Sequence, residues 1–206
     1  MRRLFIALDL DERTRAHVAS LAAALKNQFQ DAGRISWVQP ARLHLTLRFL
    51  GDVDNGLVES LVSAMSEPFS SSPFAIELGG LGMFPASGVP RVLWLGVVEG
   101  GEQVVALRRK VDERLRGIGI PPEQAAFSPH LTLARFRDRR SRRGLKNLRM
   151  GSDPRTALRP GSARPELRSR GGTRVRPLID RVTLYESRLS SAGSSYTAVA
   201  RALLQP

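Results

Sequence analysis

The tetrapeptide His-Leu-Thr-Leu occurs twice, in HLTLRFLG (His44–Gly51) and in HLTLARF (His130–Phe136), in a chain that holds only three histidines. Alternation of leucine with a polar side chain predicts a strand with one buried face. In each copy the leucines enter a core. The imidazole and the hydroxyl stand together, two residues apart, on the opposite face. Strict alternation carried onward puts Phe49 with the leucines of the first copy and Arg135 with those of the second. Arg135 then reaches the polar face only if the strand turns or twists. Either copy alone is a weak signal; the repetition is the specific part. Packing accounts for the leucines but not for an imidazole and a hydroxyl on the face that does not pack.

The rest of the chain supplies neighbours for two such strands. Leu4, Ile6 and Leu8 predict a buried first strand. Asp11 caps a helix whose stripe is Val18, Leu21, Ala22, Leu25 and Phe29. His17 lies off that stripe and reads as a solvated helix residue. Asp54 opens a second helix with Leu57, Val58, Leu61, Val62 and Met65 inward. Phe74, Ile76 and Leu78 alternate as a strand, GGLGMFPASGVP (Gly79–Pro90) reads as a Gly/Pro-rich loop, and RVLWLGV (Arg91–Val97) as another strand. A third helix carries Val104, Leu107, Val111 and Leu115 and ends at Gly117 and Gly119. RVTLYESRL (Arg181–Leu189) and SYTAVARALL (Ser195–Leu204) form a hairpin. This order predicts an α+β fold. We read residues 1–206 as one domain of two pseudo-symmetric lobes, antiparallel sheets with flanking helices, each lobe bringing one HLTL strand to a central cleft.

Composition excludes several classes. The 206 residues contain no cysteine, which rules out disulfides, thiolate catalysis and cysteine metal sites. No apolar run approaches the ~20 residues that span a bilayer, and LFIAL near the start is too short for a signal peptide. A cytoplasmic monomer without membrane contact is the expectation. The formal charge of +13 is concentrated: Arg135 to Arg176 holds fourteen arginines and one lysine against three acids. The body is therefore nearly neutral, with one basic segment at about 137–177. That segment lacks an apolar period, and three readings of it stand: a disordered solvated loop, a basic arm for RNA phosphates, or a stretch translated out of frame.

Two imidazoles facing one pocket, each beside a hydroxyl, suit phosphodiester chemistry. One neutral imidazole takes a proton from the attacking oxygen, and the other, as imidazolium, gives one to the leaving oxygen. The hydroxyls donate to the non-bridging phosphate oxygens. Zinc usually wants three or four protein ligands, and the remaining histidine sits on a helix, so neither metal nor cofactor is expected. The glycines from Gly79 to Gly88 lack the GK[ST] ending of a P-loop.

These motifs resemble the 2H phosphoesterase superfamily, defined by two H-x-[TS]-x motifs. WVQPARLHLTLRFLG, FSPHLTLARF and DRVTLYESRLS are most similar to its bacterial RNA 2′,3′-cyclic phosphodiesterase family, LigT-like, also called 2′-5′ RNA ligases. The resemblance implies two α+β lobes around a cleft. It implies metal-independent hydrolysis of a terminal 2′,3′-cyclic phosphate to a 2′-phosphate on RNA ends or small cyclic-phosphate nucleotides. It also implies roles: His44 as proton donor, His130 as proton acceptor, Thr46 and Thr132 as phosphate-binding hydroxyls, and Arg135 as a phosphate-binding cation. Trp37 and Phe49 offer a base-stacking face, though both read more simply as core. An RNA-end-binding or repair accessory protein, and 2′-5′ ligation in the same site, are the alternatives.

Overall fold

The computed structural model describes residues 1–28, 35–85, 89–137, 175–190 and 193–206. Its elements in chain order are β1 (Arg2–Asp9), α1 (Glu12–Gln28), β2 (Ile35–Trp37), a 3₁₀ turn (Pro40–Arg42), β3 (His44–Val53), α2 (Asn55–Ala64), β4 (Phe69–Ser70), β5 (Phe74–Ala75), β6 (Glu77–Phe84), β7 (Val92–Glu99), α3 (Gly101–Gly117), β8 (His130–Phe136), β9 (Leu178–Ile179), β10 (Arg181–Ser190) and β11 (Gly193–Gln205). The expectations about segment 137–177 fall outside the described residues except at its two ends.

Local chemistry sets the helix starts. The Asp11 carboxylate accepts from the Thr14 backbone N–H at 2.7 Å and from the Thr14 hydroxyl at 3.0 Å. Asp54 accepts from the Gly56 N–H at 2.8 Å. None of the helices among the described residues is long and apolar enough to cross a membrane.

The main sheet runs β4-β11-β10-β1-β3-β8-β7-β6, with β2 alongside β8; β5 and β9 form a separate ribbon. Ladders are antiparallel except for the short β4, which runs parallel to the end of β11. The sheet falls into two halves, β11-β10-β1-β3 and β8-β7-β6, that meet where Leu45 pairs with Leu131. The two HLTL strands are thus the inner edges of the halves and run side by side.

The helices pack on the leucine face. Val58, Leu61 and Met65 of α2 and Val104, Leu107, Val111 and Leu115 of α3 join Leu4, Ile6, Leu8, Leu45, Leu47, Val182 and Leu184 in one core. Val18 and Leu25 of α1 join Leu81, Leu93, Leu95, Leu131 and Leu133 in the other, with Trp37 packed against it. A sheet covered on one side presents its other face to solvent, and that open face carries His44, Thr46, His130 and Thr132.

One expectation is corrected. Gly79–Phe84 is not loop but most of β6, paired with β7 from Leu78↔Val97 to Phe84↔Val92. The glycines serve packing. A Cβ at Gly82 would lie 1.9 Å from the Trp94 ring, so only glycine lets that indole cross the strand. Gly80, at φ +67°, sits in a register shift where the ladder passes from Gly79 to Leu81.

Candidate active site

Leu45 and Leu47 are fully buried, while His44 and Thr46 are half-buried on the open face; Leu131 and Leu133 against His130 and Thr132 repeat the arrangement. The antiparallel register through Leu45↔Leu131 brings His44 level with Thr132, and Thr46 level with His130. Each imidazole therefore faces the other strand's hydroxyl. The two histidines lie on the diagonal of the ladder, a relation in which residues are about 7–8 Å apart. A local two-fold passes through the leucine pair.

Each imidazole is held in the same way. His44 Nδ1 lies 2.7 Å from the Arg42 carbonyl, and His130 Nδ1 lies 2.8 Å from the Ser128 carbonyl. A carbonyl only accepts, so Nδ1 carries the proton and Nε2 is left for the open face. The surroundings differ. His44 packs against Phe5 (ring centroids 4.9 Å) and edge-on to Tyr196 (5.3 Å). His130 packs edge-on to Phe84 (5.0 Å) and Trp94 (6.3 Å). Burial pushes both below the ordinary histidine value. The bond to the Arg42 carbonyl and then the Asp9 charge oppose this at His44, and the bond to the Ser128 carbonyl opposes it at His130; the Arg135 charge adds to the lowering at both.

Strict alternation fails after both motifs, at the same place. Along β1 the partners pass from Ile6↔Arg48 to Ala7↔Thr46, stepping over Leu47. Along β7 they pass from Leu93↔Ala134 to Trp94↔Thr132, stepping over Leu133. A bulge of one residue reverses the facing of everything beyond it. Leu47 and Arg48 are both buried, as are Leu133 and Ala134. The next residues, Phe49 and Arg135, emerge beside the histidines. Arg135 thus reaches the cleft by a bulge. Phe49 is 59% exposed, so its assignment to the core is overturned. The two positions are equivalent in the repeat: one half offers an aromatic ring, the other a guanidinium.

Buried cations hold the first bulge. Arg108 donates to the Leu47 carbonyl, to Asp112 at 2.7 Å and to Glu123 at 3.1 Å. Arg48 donates to the Pro121 carbonyl at 2.6 Å and to Asp112 at 3.3 Å. The carbonyl that the bulge removes from the ladder is thereby satisfied.

A cleft of about 470 Å³ takes in Phe5, His44, Thr46, Phe49, Thr132 and Arg135, with Arg3, Arg42, Ser187, Ser194 and Tyr196 farther along its wall. His130 is not part of that wall and adjoins it across the strand seam. His17 is exposed on α1, away from these residues. Among the described residues no three or more His, Cys, Asp or Glu side chains group as metal ligands. Sequence reasoning missed Phe5, Asp9, Tyr185 and Tyr196. The parity of β1 carried part of the signal, since residues 5, 7 and 9 must face away from Leu4, Ile6 and Leu8.

A family model described as LigT like Phosphoesterase matches residues 8–94 and 95–150, one copy of the motif in each stretch. The RNA 2′,3′-cyclic phosphodiesterase of Methanothermobacter thermautotrophicus is 37% identical over 147 residues, covering 71% of this chain and 77% of that protein. The enzyme of the same name from Aeropyrum pernix is 35% identical over 161 residues, covering 76% and 87%. The apo crystal structure of E. coli LigT superposes with a TM-score of 0.68 at 23% identity, covering all of this chain and 98% of that one, a likeness of fold. The family match takes in both His-x-Thr strands, β3 and β8, and the chain belongs to the LigT-like phosphoesterase family.

Proposed function

We propose that the protein hydrolyses the 2′,3′-cyclic phosphate of an RNA end to a 2′-phosphate, without a metal ion. The observation that carries this reading is the diagonal of two imidazoles, each with Nδ1 committed to a carbonyl and each facing a threonine hydroxyl. The names of the relatives support the same chemistry. Two imidazoles at diagonal positions of one ladder, facing the same cleft, suit the two ends of an in-line displacement. His130 takes a proton from water as the water oxygen bonds to phosphorus. The bond from phosphorus to the ribose 3′ oxygen breaks, and His44 protonates that oxygen. Thr46 and Thr132 donate to the non-bridging oxygens, and Arg135 offsets their charge. Phe49 and Phe5 present apolar faces for the terminal base. The ribose 2′ oxygen is part of the ring that is opened, so RNA rather than DNA is the substrate class.

The test is incubation of an oligoribonucleotide bearing a 2′,3′-cyclic phosphate in EDTA, with the product isomer identified. A 2′-phosphate is expected. A cyclic end that persists, or that opens only when a divalent ion is restored, overturns the reading. His44→Ala and His130→Ala then separate an enzyme from an end-binding protein: hydrolysis is lost while binding remains.

A further inference from the structure

We propose that Asp9 is a positioning residue that makes His44, and not His130, the proton donor: its carboxylate, held by Thr183 and Tyr185 across the ladder from His44, supports an imidazolium on that side of the cleft alone. The catalytic consequence rests on the hydrolytic reading above; the asymmetry itself belongs to the free protein.

The placement follows from the sheet. Asp9 is the partner of His44 in the β1–β3 register, and residues directly opposite have Cβ atoms about 4.5–5.5 Å apart. Alternation along β1 puts Asp9 on the same face as Phe5, whose ring touches the His44 imidazole. The Tyr185 hydroxyl donates to Asp9 Oδ1 at 2.5 Å, and the fully buried Thr183 hydroxyl donates to Oδ2 at 2.7 Å. Both donors are neutral. They fix the carboxylate without cancelling its charge, which a guanidinium in their place would do. Burial, and then the bond to Asp9, hold the Tyr185 phenol far above its ordinary value, so it remains a donor.

The other groups around this pair do not restore symmetry. On β11, Tyr196 meets His44 edge-on, and Arg201 is exposed. On α1, Arg15 is paired with Glu12; on β10, Arg181 is paired through two nitrogens with Asp180. Arg42 gives His44 its carbonyl. Arg135 of β8 acts on both histidines with the same sign, whereas the Asp9 charge acts on His44. His130 has Phe84, Trp94 and the Ser128 carbonyl around it, apolar and neutral surroundings that suit a base. The repeat is symmetric in sequence, and Asp9 breaks it.

The experiment follows the histidine Cε1–H signals of the free protein by NMR across a pH titration, assigned with His44→Gln and His130→Gln. In the wild type His44 is expected to titrate at higher pH than His130. Asp9→Asn keeps one hydroxyl bond on its oxygen, lets its amide N–H donate to the other hydroxyl oxygen, and removes the charge, so His44 should move to lower pH while His130 stays in place. In hydrolysis, the alkaline limb of the kcat/KM profile, which reports the free enzyme, should move the same way with the acid limb unmoved. An unmoved His44 in Asp9→Asn overturns the role. So does a wild type in which His130 titrates above His44, a result that does not depend on Asp9→Asn folding. The expected titrations in a protein that fails to hydrolyse the cyclic end would support the role of Asp9 and overturn the hydrolytic reading instead.

Discussion

An imidazole packed against aromatic rings gives up its proton more readily than one in water, and both histidines of the cleft are packed in this way. The proposed mechanism requires a neutral His130 and a protonated His44. The first condition fails as pH falls through the His130 value, the second as pH rises through the His44 value. Both lie below the ordinary 6.5. The optimum of kcat/KM, which reports the free enzyme, should therefore fall on the acid side of 6.5; a plateau extending above pH 8 would contradict it. Stability follows the same sign. A group that is harder to protonate when folded leaves the unfolded chain to take up the proton first, so its stabilisation is complete above 6.5 and is lost as pH falls through the folded value. Urea denaturation should show the wild type weakening between pH 7.5 and 5.5 by more than the double variant His44→Gln/His130→Gln. Replacing either histidine by alanine should lower kcat by about 10²–10⁴-fold at the optimum. These residues are legible in the sequence because two chemically odd side chains recur on a non-packing face. Asp9 was not legible, since its importance comes from a ladder partner thirty-five positions away, and no local pattern encodes that pairing.

Strands read by parity alone misplaced Phe49 and Arg135, and for one reason: a bulge follows each motif. The repeat was visible in the letters, but the extra residue was not. Leu47-Arg48 and Leu133-Ala134 carry no glycine and no turn signal. The first bulge shows its support only in three dimensions, as Arg108 and Arg48 gathered on Asp112 beneath it. Arg108→Met removes the donor to the Leu47 carbonyl and leaves two carboxylates short of a partner. Removing one member of a buried ionic network costs about 3 kcal/mol or more. Urea denaturation should show that loss, and KM should rise as Phe49 leaves the cleft. The strand β6 was misread for a related reason, because glycines were taken as turn formers where one of them is a seat for an indole. Gly82→Ala drives a methyl group into the Trp94 ring. Overpacking of this kind costs about 1–3 kcal/mol. Trp94 also abuts His130, so kcat should fall with it, and circular dichroism of the tryptophan band would report the displaced ring.

Two half-sheets that each fold around a separate cluster of leucines are joined at a seam with one ladder pair, Leu45 and Leu131, and the paired histidines and threonines flank that pair on the other face. The α+β class and the two-fold repeat were legible in the order of elements. The seam was not, because strand order across a sheet depends on contacts far apart in sequence. The arrangement separates stability from catalysis in a testable way. Leu131 and Leu107 are equally buried, one at the seam and one on α3 in the helical layer. Truncating either to alanine opens a cavity and should cost about 2–5 kcal/mol. At a temperature where both variants remain folded, the consequences for turnover should part. Leu131 lies between His130 and Thr132, and its loss lets the β8 motif shift against β3, so the nitrogen and the hydroxyl no longer meet the same phosphorus. A displacement of about 1 Å at such a centre costs about 10²-fold. Leu107→Ala leaves the seam packed and should keep kcat near the wild-type value. Equal losses of kcat in the two variants would mean that the halves respond as one rigid body and that the seam has no special part in aligning the histidines.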